Sequence, residues 1–176
     1  MNSNERNAVD HSLPQCRPNR LAGFDYSTAH ADFVTLCVQN RRYLFWSVGA
    51  TCGRPHDAPP LSLSGQLVET EICKIEGLYA QVRIDKYCIM PDHIHMIVMI
   101  GDCTGKTSGR PQVAPTLSSI IQQFKGSITK QIGSPIWQKS FYDHIIRDEE
   151  DYENIWQYID GNPSEWPVED YCFEDQ

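Results

Sequence analysis

Two histidines stand two residues apart in Pro91-Asp92-His93-Ile94-His95-Met96-Ile97-Val98, at the head of a run that stays apolar to Ile100. In an extended strand alternate side chains share a face, so His93 and His95 project the same way about 7 Å apart, with Ile94 in the opposite layer. Two neutral imidazoles at that spacing can offer nitrogen ligands to one divalent cation. They are too few for a structural zinc site, which takes four ligands. They suit an open site completed by one more protein ligand and by water or a phosphate oxygen. The pair also fits two structural histidines, each hydrogen-bonded to a neighbour, although two uncoordinated rings in so apolar a strand would be costly to bury. Spacing alone leaves both open.

A second set of reactive groups lies near the C-terminus. Over residues 149–161 Tyr152, Ile155, Trp156 and Ile159 fall at helical spacing and define the core stripe of an amphipathic helix. At about 100° per residue, Tyr158 sits roughly 110° from the centre of that stripe. Asn154, Tyr158 and Asn162 instead form a row along the flank. A phenol with an amide one turn later can supply a nucleophile and an oxygen ligand to one site. Phenol is a weak nucleophile at its ordinary pKa near 10 and needs help from its surroundings. A partly exposed tyrosine on an amphipathic helix needs no such role, so Tyr158 alone decides nothing.

These residues have to be held by a fold. From Asp32 the run DFVTLCVQNRRYLF is strand-like, and Val68, Ile72, Ile75 and Tyr79 mark a helix. Val82 to Met90 reads as a strand whose alternation resets near Asp85, and His93 to Ile100 as a second strand, central in its sheet. Leu117, Ile120, Ile121, Phe124 and Ile128 trace a helix capped by Thr116. Ile136 to Ile146 reads as strand or extended chain. Asp148-Glu149-Glu150-Asp151 then opens the last helix with acidic residues where its dipole favours them, and Gly161 and Pro163 end it. The order β-α-β-β-α-β plus a helix predicts an α+β protein with a ferredoxin-like antiparallel sheet. The expected organisation is a flexible arm over 1–25, one domain over 26–166 and an acidic tail over 167–176. Gly/Pro-rich loops occupy 49–62 and 101–115, where GRPHDAP and GRPQVAP echo each other without amounting to a repeat.

The chain has 176 residues, 40% hydrophobic and 22% charged, which suits one ordinary domain and excludes wholesale disorder. No apolar run reaches the roughly 18 residues of a membrane span, and the polar, proline-broken start lacks a secretory signal, so a cytoplasmic protein is expected. Seven scattered cysteines without a C-x-x-C spacing read as reduced thiols, with Cys37 and Cys88 as strand filler. The net charge of −8 is unevenly spread: residues 143–176 hold 12 of the 23 acidic side chains but only Arg147 of the basic ones. Residues 1–142 thus carry 14 basic against 11 acidic side chains, and acidity overall does not exclude a nucleic-acid partner.

Taken together, MPDHIHMIV (90–98), LSSIIQQFK (117–125), IWQKSFYDHIIRDEEDY (136–152) and YIDGNPSEW (158–166) resemble the single-tyrosine HUH transposases, and within them the REP-associated tyrosine transposases. NRRYLF (40–45) fits the same pattern, and the resemblance spans about residues 30–167. It implies that His93 and His95 hold Mg²⁺ or Mn²⁺, that Asn162 is the third metal ligand, and that Tyr158 is the catalytic nucleophile. It implies cleavage and rejoining of single-stranded DNA at hairpin-forming palindromic repeats through a 5′-phosphotyrosine link, by a monomer or a homodimer. Arg41, Arg42, Lys125 and Lys130 are candidate DNA-backbone contacts, though ordinary solvated charge is the simpler explanation of each. His144 is expected to orient its strand through a hydrogen bond, and Trp137 to pack in the core. A domesticated hairpin-DNA-binding protein with little catalysis, and a metal-dependent hydrolase that leaves Tyr158 idle, are the competing functions.

Overall fold

The computed structural model describes residues 29–47, 60–101 and 115–166. The arm, both Gly/Pro-rich loops and the acidic tail lie outside the described residues, apart from the last and first few residues of the loops, as do Cys16, Cys52, Cys103 and Cys172. The elements are β1 (His30–Cys37), α1 (Leu63–Leu78), β2 (Val82–Ile89), β3 (His93–Ile100), α2 (Leu117–Ile132), β4 (Tyr142–Ile146) and α3 (Glu149–Glu165). The strands form one sheet in the order β2-β3-β1-β4 with every neighbouring pair antiparallel. This is the ferredoxin-like α+β arrangement expected from the element order. Among the described residues no helix is long and apolar enough to cross a membrane.

Alternation along β3 explains how the two faces are shared. Ile94, Met96 and Val98 are buried on one face, and His93, His95 and Ile97 on the other. Tyr87, opposite Met96, donates its hydroxyl to Glu69 of α1, which places the α1–α2 layer on the first face. Lys86, opposite Ile97, reaches Asp160, which places α3 on the second. The register shifts between Ile84 and Lys86, where the alternation was expected to reset, so these two residues face opposite layers although they are two apart in the chain.

Each helix starts at a polar cap. Ser62 Oγ accepts from Gly65 N–H and donates to Leu44 O. Thr116 Oγ1 accepts from Ser119 N–H, and Asp148 Oδ1 from Asp151 N–H. Gly65 is needed for a second reason: a Cβ there would lie 2.2 Å from Phe45 O, so only glycine lets α1 rest on the segment after β1. α2 ends at Gly133 in the left-handed conformation, the usual helix stop.

Three boundaries differ from the sequence reading. β1 stops at Cys37 rather than running to Phe45, because the chain turns sharply through Gln39–Arg41 and brings Phe45 and Trp46 back into the core. β4 begins at Tyr142, and the stretch from Ile136 contributes only a bridge from Trp137 to Val38. α3 runs through Gly161 and Pro163 to Glu165. Proline in the final turn forgoes one intrahelical hydrogen bond and leaves the preceding turns intact. Trp156 is also not a core residue. It is 37% exposed, and Lys86 Nζ lies 3.7 Å above its ring. Trp137 does pack into the core, against Phe45 and Phe124. Among the described cysteines, Cys37, Cys73 and Cys88 are all free thiols.

α1 and α2 are tied together by a buried carboxylate. Glu71 accepts from Lys74 Nζ at 2.6 Å, Ser127 Oγ at 2.6 Å and Gln131 Nε2 at 3.0 Å. Burial alone would raise its pKa, but these hydrogen bonds overcome that and hold it at about 2. Such a group stabilises the fold fully above its ordinary value of 4.5 and loses that contribution as pH falls towards 2. Glu71→Gln should therefore cost about 2 kcal/mol in chemical denaturation at pH 7. The difference from wild type should shrink steadily when the measurement is repeated below pH 4.5.

Candidate active site

His93 and His95 open β3 and are 6% and 4% exposed. Their Nε2 atoms face each other at 2.9 Å. His93 Nδ1 lies 2.5 Å from Asp92 Oδ1 and therefore donates, since a carboxylate only accepts. That assignment leaves His93 Nε2 with a lone pair. His95 Nδ1 lies 2.9 Å from Thr35 Oγ1, the hydroxyl directly opposite in β1. A hydroxyl both donates and accepts, so Thr35 supports either tautomer of His95. With the proton on Nε2, His95 donates to His93, and with it on Nδ1, both Nε2 lone pairs point at one place.

The second tautomer suits a cation. Cis ligands of an octahedral ion with bonds of about 2.1 Å stand about 3.0 Å apart, close to the spacing of the two nitrogens. Burial, and next the nearby charges of His93 and Arg41, push the His95 pKa down to about 3. The ring is neutral at physiological pH, as a ligand must be. Among the described residues no group of three or more His, Cys, Asp and Glu side chains is placed to hold a metal. A cation here would draw its third protein ligand from another residue type, such as an amide.

Asp92 is itself buried and needs compensation. Arg41 Nη1 supplies it, 3.3 Å from Asp92 Oδ2. Arg41 reaches that point from a turn in which Asn40 and Arg41 have φ of 58° and 53°. Left-handed backbone at two non-glycine residues is strained by about 1–3 kcal/mol each. The turn is held by Gln39 N–H donating to Ile136 O, Val38 N–H to Asp92 O, and Leu44 and Phe45 N–H to Pro91 O.

α3 brings Tyr158 to the pair. Its hydroxyl lies 3.4 Å from His95 Nε2, and the residue is 51% exposed. Phe33 stacks on His95 at 5.3 Å and meets the Tyr158 ring edge-on at 6.0 Å. Trp166 leans on His93 at 5.7 Å and meets Tyr43 edge-on. The helix is docked towards both of its ends. His144 and Asp151 share a hydrogen bond at 2.9 Å, so His144 does orient its strand, joining β4 to α3. Further on, Tyr152 donates its hydroxyl to Asp85, and Lys86 pairs with Asp160 at 2.5 Å.

The remaining candidates fall in different places. Asn162 Nδ2 donates to Tyr158 O one turn back, at 3.3 Å, which leaves the amide oxygen as the atom that could bind a metal. Arg42 is exposed beside the Arg41 turn. Lys125 Nζ donates to Gln138 O at 2.8 Å and Ser140 O at 3.0 Å, so it anchors the approach to β4. Burial lowers its pKa. Lys130 is exposed in the last turn of α2, in the layer across the sheet from Tyr158. Sequence reasoning passed over Asp92, Thr35 and Phe33. A carboxylate directly before the first histidine was a visible signal, as such groups commonly orient metal-binding imidazoles. Thr35 and Phe33 gave none, because their role depends on strand register.

Comparison with known proteins adds to this geometry. A family model described as "Transposase IS200 like" matches residues 68–162, a stretch containing His93, His95, Tyr158 and Asn162. An uncharacterized protein of Haemophilus influenzae is 31% identical over 166 residues, covering 85% of this chain and 89% of that one. A second Haemophilus influenzae protein, assigned by name to the REP-associated tyrosine transposases, is 35% identical over 81 residues, covering 43% and 46%. A solved structure of a REP-associated tyrosine transposase bound to a REP hairpin superposes with a TM-score of 0.57 at 25% identity, covering 85% of this chain and 78% of that one.

The Asp92–His93 contact makes a prediction that needs no ligand. Long-range ¹H–¹⁵N NMR of the histidine rings should show His93 locked with its proton on Nδ1. In Asp92→Ala the same ring should show a mixture of tautomers, with the fold retained.

Proposed function

The chain belongs to the IS200-like transposase family and is a homologue of the REP-associated tyrosine transposases, an HUH-type DNA nuclease and strand transferase, and on that premise we propose that it cuts and rejoins single-stranded DNA at hairpin-forming repeats with Tyr158 as nucleophile. The observation that carries this reading is the approach of the Tyr158 hydroxyl to within 3.4 Å of His95, whose Nε2 in turn faces that of His93. A tyrosine of purely structural use has no reason to meet an inward-facing histidine pair while half exposed.

In the proposed reaction the Tyr158 oxygen attacks the phosphorus of a phosphodiester in line with the 3′-oxygen. A phosphotyrosine bond forms to the 5′ side, the P–O3′ bond breaks, and the departing oxygen gains the proton that the phenol loses. A later 3′-OH reverses these exchanges on a new strand, so the bond energy is conserved and no outside energy source is needed. His93 and His95, with Asn162 as third ligand, would hold Mg²⁺ or Mn²⁺, which when bound polarises the scissile phosphate and stabilises its developing charge. Asp92 and Thr35 keep the two rings aimed, and Arg41 holds the Asp92 carboxylate in place. Phe33 forms an apolar wall against which the His95 and Tyr158 rings are packed.

Hairpin DNA as the substrate is supported by the REP hairpin held by the solved relative. Arg42, exposed beside the turn that bonds to Pro91 and Asp92, is a candidate to meet a phosphate near the histidine end of the sheet. Arg41 can share that task, since its side chain remains 57% exposed beside Asp92. Such contacts would position the strand without reading its sequence.

The test is incubation with end-labelled hairpin DNA from sequence flanking the gene, with Mn²⁺ or Mg²⁺ or with EDTA, on denaturing gels. Wild type should give a covalent protein–DNA band that requires metal and is absent in Tyr158→Phe and His93→Ala. Tight hairpin binding with no covalent band across several flanking substrates would identify a binding protein instead. Metal-dependent cutting that survives Tyr158→Phe would remove the tyrosine from the mechanism. Asp92→Ala should raise the Mn²⁺ concentration for half-maximal activity by roughly 10–100-fold, with most of the rate recovered at saturating metal.

A further inference from the structure

Tyr142 is a large aromatic residue with no evident reason to face solvent. It is the first residue of β4, an edge strand of the sheet, and it is 59% exposed. It lies opposite Thr35, so its ring is on the same face of the sheet as the histidines and α3. Its hydroxyl makes no hydrogen bond to any described residue. The ring meets Phe33 edge-on at 6.3 Å, and Phe33 is itself 6.0 Å from Tyr158. An exposed ring is thus fixed one aromatic step from the proposed nucleophile, on a buried aromatic floor that holds it upright.

We infer that Tyr142, braced by Phe33, is a stacking platform for an unpaired nucleobase next to the scissile phosphate. The inference rests on the single-strand reading above and adds to it a base-binding site. A strand whose phosphate lies at Tyr158 must carry its neighbouring base over the adjoining surface, and on the β4 side that surface is the Tyr142 ring. Stacking suits such a position because every base has a π face, so it adds affinity without demanding a sequence. The alternative use of an edge-strand aromatic is cross-strand packing, which would affect folding and not discriminate among DNA substrates.

Binding in EDTA, where no cleavage occurs, tests the platform separately from the chemistry. The probes are one DNA hairpin with a single-stranded flank carrying 2-aminopurine and the same hairpin with no flank. Tyr142→Ala should bind the flanked hairpin about tenfold more weakly than wild type and the blunt hairpin equally well. Tyr142→Phe should keep the wild-type affinity and the quenching of 2-aminopurine. An abasic nucleotide at the quenched position should weaken wild type to the same extent and leave Tyr142→Ala unchanged. Equal affinity of wild type and Tyr142→Ala for the flanked hairpin would overturn the platform, as would an equal loss on both hairpins. If wild type bound neither DNA, the proposed function would fail, and the platform with it.

Discussion

Two imidazole nitrogens face each other 2.9 Å apart on a strand buried on both sides, and most of the surrounding structure follows from keeping them there. Burial holds His95 neutral, and a neutral ring can present a lone pair. Burial also requires that the outer nitrogen of each ring find a partner, because an unpaired polar atom in this layer would be strongly unfavourable. Asp92 and Thr35 meet that requirement from the two ends available to them, the turn before β3 and the neighbouring strand β1. The Asp92 carboxylate then needs a charge of opposite sign, and Arg41 provides it from a left-handed turn. The strain of that turn is sustained by backbone hydrogen bonds to Asp92, Pro91 and Ile136.

The two faces of the sheet carry different burdens. The α1–α2 face contains the fully buried Val34 and Leu36 of β1 and Ile94, Met96 and Val98 of β3, together with the Glu71 clamp. Among the described residues α3 has one fully buried side chain, Ile159, and is otherwise joined by the partly buried Tyr152, Ile155 and Trp166 and by polar contacts at partly exposed positions. The Lys86–Asp160 pair, with Asp160 59% exposed, is of the kind that contributes little by itself. A helix attached in this way can carry an exposed reactive side chain without the rest of the fold depending on it. The division sets a mostly aliphatic layer on one face of the sheet and the cluster of His93, His95 and Tyr158 on the other.

Local geometry made much of this legible from sequence. The H-x-H pair, the helix cap at Thr116, the acidic start of the last helix, the reset at Asp85 and the off-stripe position of Tyr158 all depend on residues within a turn or two of one another. Trp156 shows the limit of that approach. Periodicity assigns it to the core, but the structure places the Lys86 ammonium over its ring, and a cation from a distant strand is invisible to helical spacing. Lys125 shows the same limit in reverse, since nothing near it in sequence reveals that the carbonyls of Gln138 and Ser140 occupy its ammonium. The early end of β1 was hidden because strand propensity in VQNRRYLF says nothing of the turn at Asn40.

By itself the sequence determined which side chains share a face, because the periods of strand and helix are properties of the chain within a few residues. That is why spacing alone groups His93 with His95 and separates Tyr158 from Ile155 and Ile159. Only the tertiary structure decided which faces meet. Strand register set Thr35 opposite His95 and Tyr142 beside Phe33, and helix docking carried Tyr158 across 63 residues of chain to the histidine pair. Those pairings come from packing and hydrogen bonding between distant segments, whose balance no local pattern records.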